Sequence, residues 1–178
     1  MPHKKLILFV LLLTGSATAA HAQSPATPDS AARAFNFLAG NWSSREYRVA
    51  DGDTTLVGTG KVANHLILGN VALREEWEER DSLGKEVIFQ ATLLRFYDRT
   101  ARKWQLMYVD NLGNTQLWDS YQQDCCWYFT RQQSIKGQTY LARIHWLPVG
   151  PDQVQQRIER SYDAGKSWQL RSVIHLTR

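Results

Sequence analysis

From Trp42 to Thr177 no stretch of the chain keeps a helical period for ten residues. Short segments rich in Val, Ile, Thr, Tyr, Phe and Trp recur instead, separated by turn residues. Ten such segments are read, over approximately 42–49, 55–65, 71–80, 86–98, 103–110, 115–121, 126–133, 139–147, 153–162 and 167–177. Asp51-Gly52-Asp53, Leu112-Gly113-Asn114, Lys136-Gly137, Pro148 to Asp152 and Asp163 to Lys166 supply the turn chemistry between them. All the connections are short, and a parallel crossover needs about a dozen residues or more, so neighbouring strands must be antiparallel. A run of antiparallel strands leaves two raw edges, and closing the sheet on itself removes both. The expected fold is therefore all-β: an up-and-down barrel of about ten strands in one domain over residues 29–178. A short helix from Asp29 or Ser30 to about Leu38, favoured by Ala31, Ala32 and Ala34 and stopped at Gly40, would plug one end. A two-sheet sandwich is the alternative; near-uniform strand spacing and the lack of a long crossover favour the barrel. A barrel wider than about eight strands has room inside for a ligand.

The segment ahead of the strands reads as an export signal. His3, Lys4 and Lys5 form a basic start, Leu6 to Leu13 is unbroken apolar sequence, and Ala20-His21-Ala22 is a small-x-small cleavage site. The apolar run is far short of the ~20 residues that cross a bilayer as a helix, so a retained membrane anchor is the weaker reading. No cysteine follows the cleavage site, against a lipoprotein anchor. The mature chain would begin at Gln23, with residues 23–28 as a flexible, proline-containing lead-in and a periplasmic or secreted destination. Its 19 basic and 17 acidic side chains leave a net charge of only +2. With no basic run of five residues, the charge argument for nucleic acid fails. An apolar content of 43% and seven tryptophans exclude a disordered chain.

Export implies an oxidising compartment, where cysteines usually pair. The two here, Cys125 and Cys126, are adjacent. Neighbouring Cα atoms lie about 3.8 Å apart, closer than the roughly 4.4–6.8 Å an ordinary disulfide spans. Two small, mostly buried thiols at a strand start are the plain reading; a strained vicinal disulfide and an intermolecular or redox role are the alternatives.

Two local motifs stand out. Gly40-Asn41-Trp42, opening the first strand after the helix, resembles the Gly-x-Trp entry of lipocalin-like barrels, where the tryptophan closes the floor. The resemblance implies packing rather than ligand contact for Trp42. Ser161-Tyr162-Asp163-Ala164-Gly165-Lys166-Ser167-Trp168 resembles the Asp-box hairpin of sialidase propellers. Asp163 is placed to accept backbone N–H groups, Gly165 to take positive φ, and Trp168 to pack under the turn. A propeller needs several four-stranded blades, more strands than this chain has, so sialidase activity is not expected.

A longer resemblance covers nearly all of the mature chain. It is carried by Phe37-Leu38-Ala39-Gly40-Asn41-Trp42, by Leu68-Gly69-Asn70 through Glu75-Glu76-Trp77, and by Phe96-Tyr97-Asp98 through Trp104. Tyr108-Val109-Asp110-Asn111-Leu112-Gly113 and the segment from Gln156 to Trp168 continue it. In these the chain is similar to the DUF1579 family, bacterial exported proteins of unknown function. The resemblance implies a lipocalin-like barrel and brings no catalytic residues. Where relatives often show glutamine between the two aromatics of the Trp104 strand, this chain has Leu106. A lumen-facing Leu106 would make the pocket more apolar.

Little points to catalysis or metal. His65, His145 and His175 lack metal-ligand spacing, and no metal or cofactor is expected. There is no G-x-S-x-G, and Gly58-Thr59-Gly60-Lys61 lacks the spacing and helix of a phosphate loop. Alternation is more informative, because residues two apart on a strand share a face. Leu73, Glu75 and Trp77 share one side, as do Trp104, Leu106 and Tyr108. The strand holding Arg157 and Glu159 has an arginine on each side. Glu75 is either a charge at the rim or a buried carboxylate near Arg157 or Arg171.

Three functions compete. In the first, an exported binding protein encloses a small, partly apolar molecule between Trp77, Trp104, Tyr108 and Trp118, with Glu75, Arg157 and Glu159 as polar anchors. In the second, an envelope module binds a protein or glycan through exposed aromatics. In the third, a barrel enzyme uses Glu75 or Glu159 as general base.

Overall fold

The computed structural model describes residues 30–178. The expected export signal, cleavage site and lead-in lie outside the described residues. Ten strands follow in order: β1 Gly40–Ala50, β2 Asp53–Ile67, β3 Ala72–Asp81, β4 Val87–Asp98, β5 Lys103–Asp110, β6 Thr115–Gln123, β7 Cys126–Ile135, β8 Gln138–Gly150, β9 Gln153–Ser161 and β10 Gln169–Thr177. Each pairs antiparallel with the next, and β1 pairs with β10, from Ser43 opposite Thr177 to Arg48 opposite Ser172. The sheet is thus a closed ten-stranded up-and-down barrel.

The expected N-terminal helix forms as two single turns of 3-10 helix, Ser30–Arg33 and Asn36–Leu38. Its hydrogen bonds run three residues back, Leu38 N–H to the Phe35 carbonyl at 3.0 Å and Ala39 N–H to that of Asn36 at 3.1 Å. The break between the turns lets Phe35 drop into the barrel, 4.9 Å from the Trp104 ring, 5.5 Å from Phe129 and 5.9 Å from Trp146. These rings, with Leu38 and Trp42, form a dry floor. The Trp42 indole donates to the Leu38 carbonyl at 2.7 Å. Arg178, just after β10, lies 4.0 Å over the Trp42 ring and donates to the Ala39 carbonyl at 2.5 Å. Trp42 therefore packs, tying plug, first strand and last strand together.

The opposite end is different. Inward side chains there, including Trp77, Phe89, Tyr108, Arg131, Ile158 and Arg160, are only half-buried, so this end is more open to solvent than the floor. The β9–β10 turn at this end has the expected Asp-box geometry. Asp163 accepts from Ser167 N–H at 2.9 Å, Ser167 Oγ at 2.6 Å and Ser161 Oγ at 2.7 Å. Those bonds hold its carboxyl down at about 2. Gly165 takes φ +89°. Trp168 packs on the Arg143 guanidinium at 4.1 Å. Cys125 is exposed and Cys126 half-buried; both are free, with their sulfurs 3.5 Å apart. The expectation of mostly buried thiols is corrected in part: Cys125 sits in the β6–β7 turn, beyond the cover of either strand.

Candidate functional site

Alternation along the strands decides which side chains enter the barrel. On β3 they are Leu73, Glu75, Trp77 and Glu79; on β4, Phe89, Ala91, Leu93, Arg95 and Tyr97. Trp104, Leu106 and Tyr108 on β5 and Trp118 on β6 also point inward. Five of the seven expected site residues therefore face the interior. Trp104 belongs to the floor: it is 1% exposed, and its indole donates to the Ala31 carbonyl at 2.9 Å. Trp118 keeps its N–H on Gln116 Oε1 at 3.1 Å. Leu106 is inward and buried, so this part of the wall is apolar.

Glu75 is buried at 2% exposure, not on the rim. Asn64 stands opposite it on β2. Its ionic partner is Arg95, whose Nη1 lies 3.0 Å from Glu75 Oε2. The expected partners Arg157 and Arg171 are corrected here: β4 is the neighbour of β3, and its register brings Arg95 to the carboxylate. Arg95 is 0% exposed and lies 4.2 Å over the Trp146 ring, above the floor. Among the described residues its Nε and Nη2 have no hydrogen-bond partner. The indole nitrogens of Trp77 and Trp146, both amide atoms of Asn64 and Nη1 of Arg131 are likewise buried and unpaired. Most buried polar groups in folded proteins find partners, and each that does not calls for an explanation.

Closer to the open end, Glu79 and Glu46 approach each other. Burial, followed by the nearby Glu46 carboxylate and the hydrogen bond between them, pushes Glu79 up to about 8. Glu46 also accepts from Ser172 Oγ at 2.5 Å. Gly58 makes the room, since a Cβ there would lie 1.8 Å from Glu79 Oε1. Tyr108 stacks beside Phe89 with ring centroids 6.3 Å apart and donates to Asp110 Oδ2 at 2.7 Å. Burial and that bond raise the phenol far above its usual range. Asp110 is itself held at about 2: burial works against this, but bonds from Asn114, Tyr108 and the turn backbone outweigh it.

Glu159 and Arg157 require a correction. Ile158 pairs with Ile144 and Gln156 with Trp146, and these alternate residues face the core. Arg157 and Glu159 therefore project from the outer surface. Glu159 is nonetheless 7% exposed, because a second polar cluster covers it. Arg143 Nε lies 2.6 Å from Glu159 Oε2, and His145 Nδ1 3.7 Å from the same oxygen. The Arg143 guanidinium also covers the Tyr128 ring at 4.8 Å, and Tyr128 lies 4.7 Å from His145. Burial lowers His145 to about 4, helped by Arg157 and Arg143 and opposed by Glu159. Neither Glu159 nor Arg157 can anchor a ligand in the barrel, and Glu159 cannot act as a base there. Glu75 is tied to Arg95.

A groove of about 1010 Å³ crosses the outside of β1–β5, bounded by Lys61, Glu76, Glu78, Gln90 and Asn111. Its walls are mostly exposed polar side chains. The inward-facing Trp42, Val62, Trp77 and Ala91 also contribute to its lining. Among the described residues no group of three or more His, Cys, Asp or Glu side chains is arranged to hold a metal ion. No helix of the described residues is long and apolar enough to cross a membrane.

No family model and no curated protein sequence matches the chain. Solved structures do match its fold. The S-type phycobiliprotein lyase CPES from Guillardia theta superposes with a TM-score of 0.51 at 16% identity, over 81% of this chain and 89% of that one. Rv2717c from M. tuberculosis superposes with a TM-score of 0.54 at 12% identity, over 84% and 98%. At these identities the likeness is one of fold.

Proposed function

We propose that the protein is an exported carrier that encloses a small, partly apolar molecule in its barrel. The observation that supports this best is a group of buried, unpaired donors on Arg95, Trp77 and Trp146, set inside a wall of rings. A polar spot in an apolar enclosure is the usual form of a small-molecule site. A closed sheet of ten strands is wide enough to enclose one. Export to the periplasm or medium and membership of the DUF1579 family are part of the same reading, and rest on the N-terminal and internal sequence signatures. The ligand-contacting residues are Glu75, Trp77, Tyr108 and Trp118, joined by Arg95 and Trp146.

Native mass spectrometry of the protein recovered from the periplasm tests both halves. The expected result is a chain beginning at Gln23 carrying a non-covalent adduct, or taking up a fluorescent fatty-acid probe once stripped. A chain that retains residues 1–22 contradicts export, and one that binds no apolar probe contradicts the carrier.

One observation favours the interaction-module reading. Met107 and Leu117 pair on the outer face of β5 and β6, beside Val109, and all three are exposed. That patch is a second place to look for a partner if the interior takes no ligand.

A further inference from the structure

The unpaired groups also narrow the chemistry of the ligand. This step rests on the carrier reading and goes beyond it. Glu75 engages Arg95 through Nη1, leaving Nε and Nη2 free. Those two nitrogens share one edge of the guanidinium, and their N–H bonds run nearly parallel. Such a fork matches the two oxygens of a carboxylate. The other unpaired groups facing the interior are nearly all donors: the Trp77 and Trp146 indoles and Arg131 Nη1. The unpaired acceptors are Asn64 Oδ1, on an amide that carries two donors of its own, and Asn36 Oδ1 on the plug. Unpaired donors thus outnumber unpaired acceptors there, and a ligand that brings acceptors would satisfy them.

Charge points the same way. Arg131 on β7 and Arg160 on β9 both stand opposite Ala142, and therefore share its inward face. Among the described residues neither has an acid within ion-pair distance. Their guanidiniums lie over rings instead, Arg131 5.8 Å from Trp118 and Arg160 4.7 Å from Tyr140. Glu75 already balances Arg95, so these two cations remain to offset an incoming negative charge. Glu46 stands on the β1 wall, where its carboxylate would repel an anion and favour a head group seated on Arg95, while its neighbour Glu79, pushed up to about 8, holds its proton at neutral pH.

We propose that the ligand is an apolar carboxylic acid whose carboxylate sits on the Nε/Nη2 edge of Arg95 while its body runs along Trp77, Tyr108 and Trp118 toward the open end. The test compares 11-(dansylamino)undecanoic acid with its primary amide, a neutral probe of nearly the same shape, by energy transfer from tryptophan at neutral pH. The acid should bind at least about tenfold more tightly, the scale of a charge-assisted hydrogen bond. Arg95→Met should bring acid and amide together. Because that change strands Glu75 and can prevent folding, Glu75→Gln supplies the second arm: it removes a competing negative charge and should widen the preference for the acid. Equal binding of acid and amide by the unaltered protein overturns the carboxylate and leaves the carrier standing. A preference that Glu75→Gln leaves unchanged or narrows also overturns the placement on Arg95. Failure of both probes to bind overturns the carrier reading, and this inference with it.

Discussion

Two carboxylates are buried against arginines in this barrel, one on each side of the same sheet. Outside, Glu159 draws Arg143 and His145 toward a single oxygen, and Tyr128 and Trp168 cover Arg143. The unpaired atoms there are His145 Nδ1, on a side chain already beside that acid, and Arg157 Nε, on a neighbour whose charge reaches His145. Inside, Glu75 takes one nitrogen of Arg95 and leaves a whole guanidinium edge unpaired among rings. Burial of an ion pair thus does not by itself mark a binding site. What separates the two is the leftover hydrogen-bonding capacity and the direction it faces.

Removing one arginine at a time should break the comparison most sharply. Arg95→Met leaves Glu75 charged, dry and unpartnered, and should cost about 3–5 kcal/mol in urea denaturation. Arg143→Met leaves Glu159 beside His145 near the surface, and should cost about 1–3 kcal/mol. Equal losses would mean that the two clusters are alike in kind. Pairing Glu75→Leu with Arg95→Met removes both buried charges, and should recover most of the first loss while ending the preference for a carboxylate probe.

The titrating groups sharpen the contrast through pH. Glu79, inside, has its pKa raised from 4.5 to about 8, so between those values the folded state holds a proton that the unfolded state has released. Stability must fall with rising pH across that window. His145, outside, is lowered from 6.5 to about 4, so there the unfolded state holds the extra proton and stability rises with pH from 4 to 6.5. The two oppose each other from 4.5 to 6.5, and Glu79 acts alone above. The thermal midpoint should change little below pH 6.5 on their account and then decline toward pH 8. Glu79→Gln should abolish the decline, and His145→Gln should extend it to lower pH. The smallest effect is expected at Cys125, exposed and unbonded: Cys125→Ser should move stability by no more than about 0.5 kcal/mol in the same denaturation assay.

Most of the architecture was legible because periodicity and turn chemistry agreed along the whole chain. Trp42 and the Asp163 turn could be placed from their motifs alone, and Glu75 and Trp77 from their shared parity with Leu73. β9 could not be oriented this way. Gln155, Arg157 and Glu159 face one side and Gln156, Ile158 and Arg160 the other, so neither side reads as core. Its facing is set by pairing with β8, through Ile144 and Trp146, which the isolated strand does not encode. Arg95 carried a usable signal: it is the one charge in the alternating row Phe89, Ala91, Leu93, Arg95, Tyr97. Glu79 extended the same row as Glu75. The Glu46–Glu79 contact depends on Gly58 leaving space for a carboxyl, a tertiary detail that no strand pattern contains.

The most direct measurement locates a heavy atom. Crystals grown with 12-bromododecanoic acid would show the bromine by anomalous diffraction. The carrier account predicts it inside the barrel toward the open end, near Trp77, Tyr108 and Trp118, with the carboxylate on Arg95. Bromine in the outer groove by Lys61, Glu76 and Gln90, with the barrel interior unchanged, would contradict it.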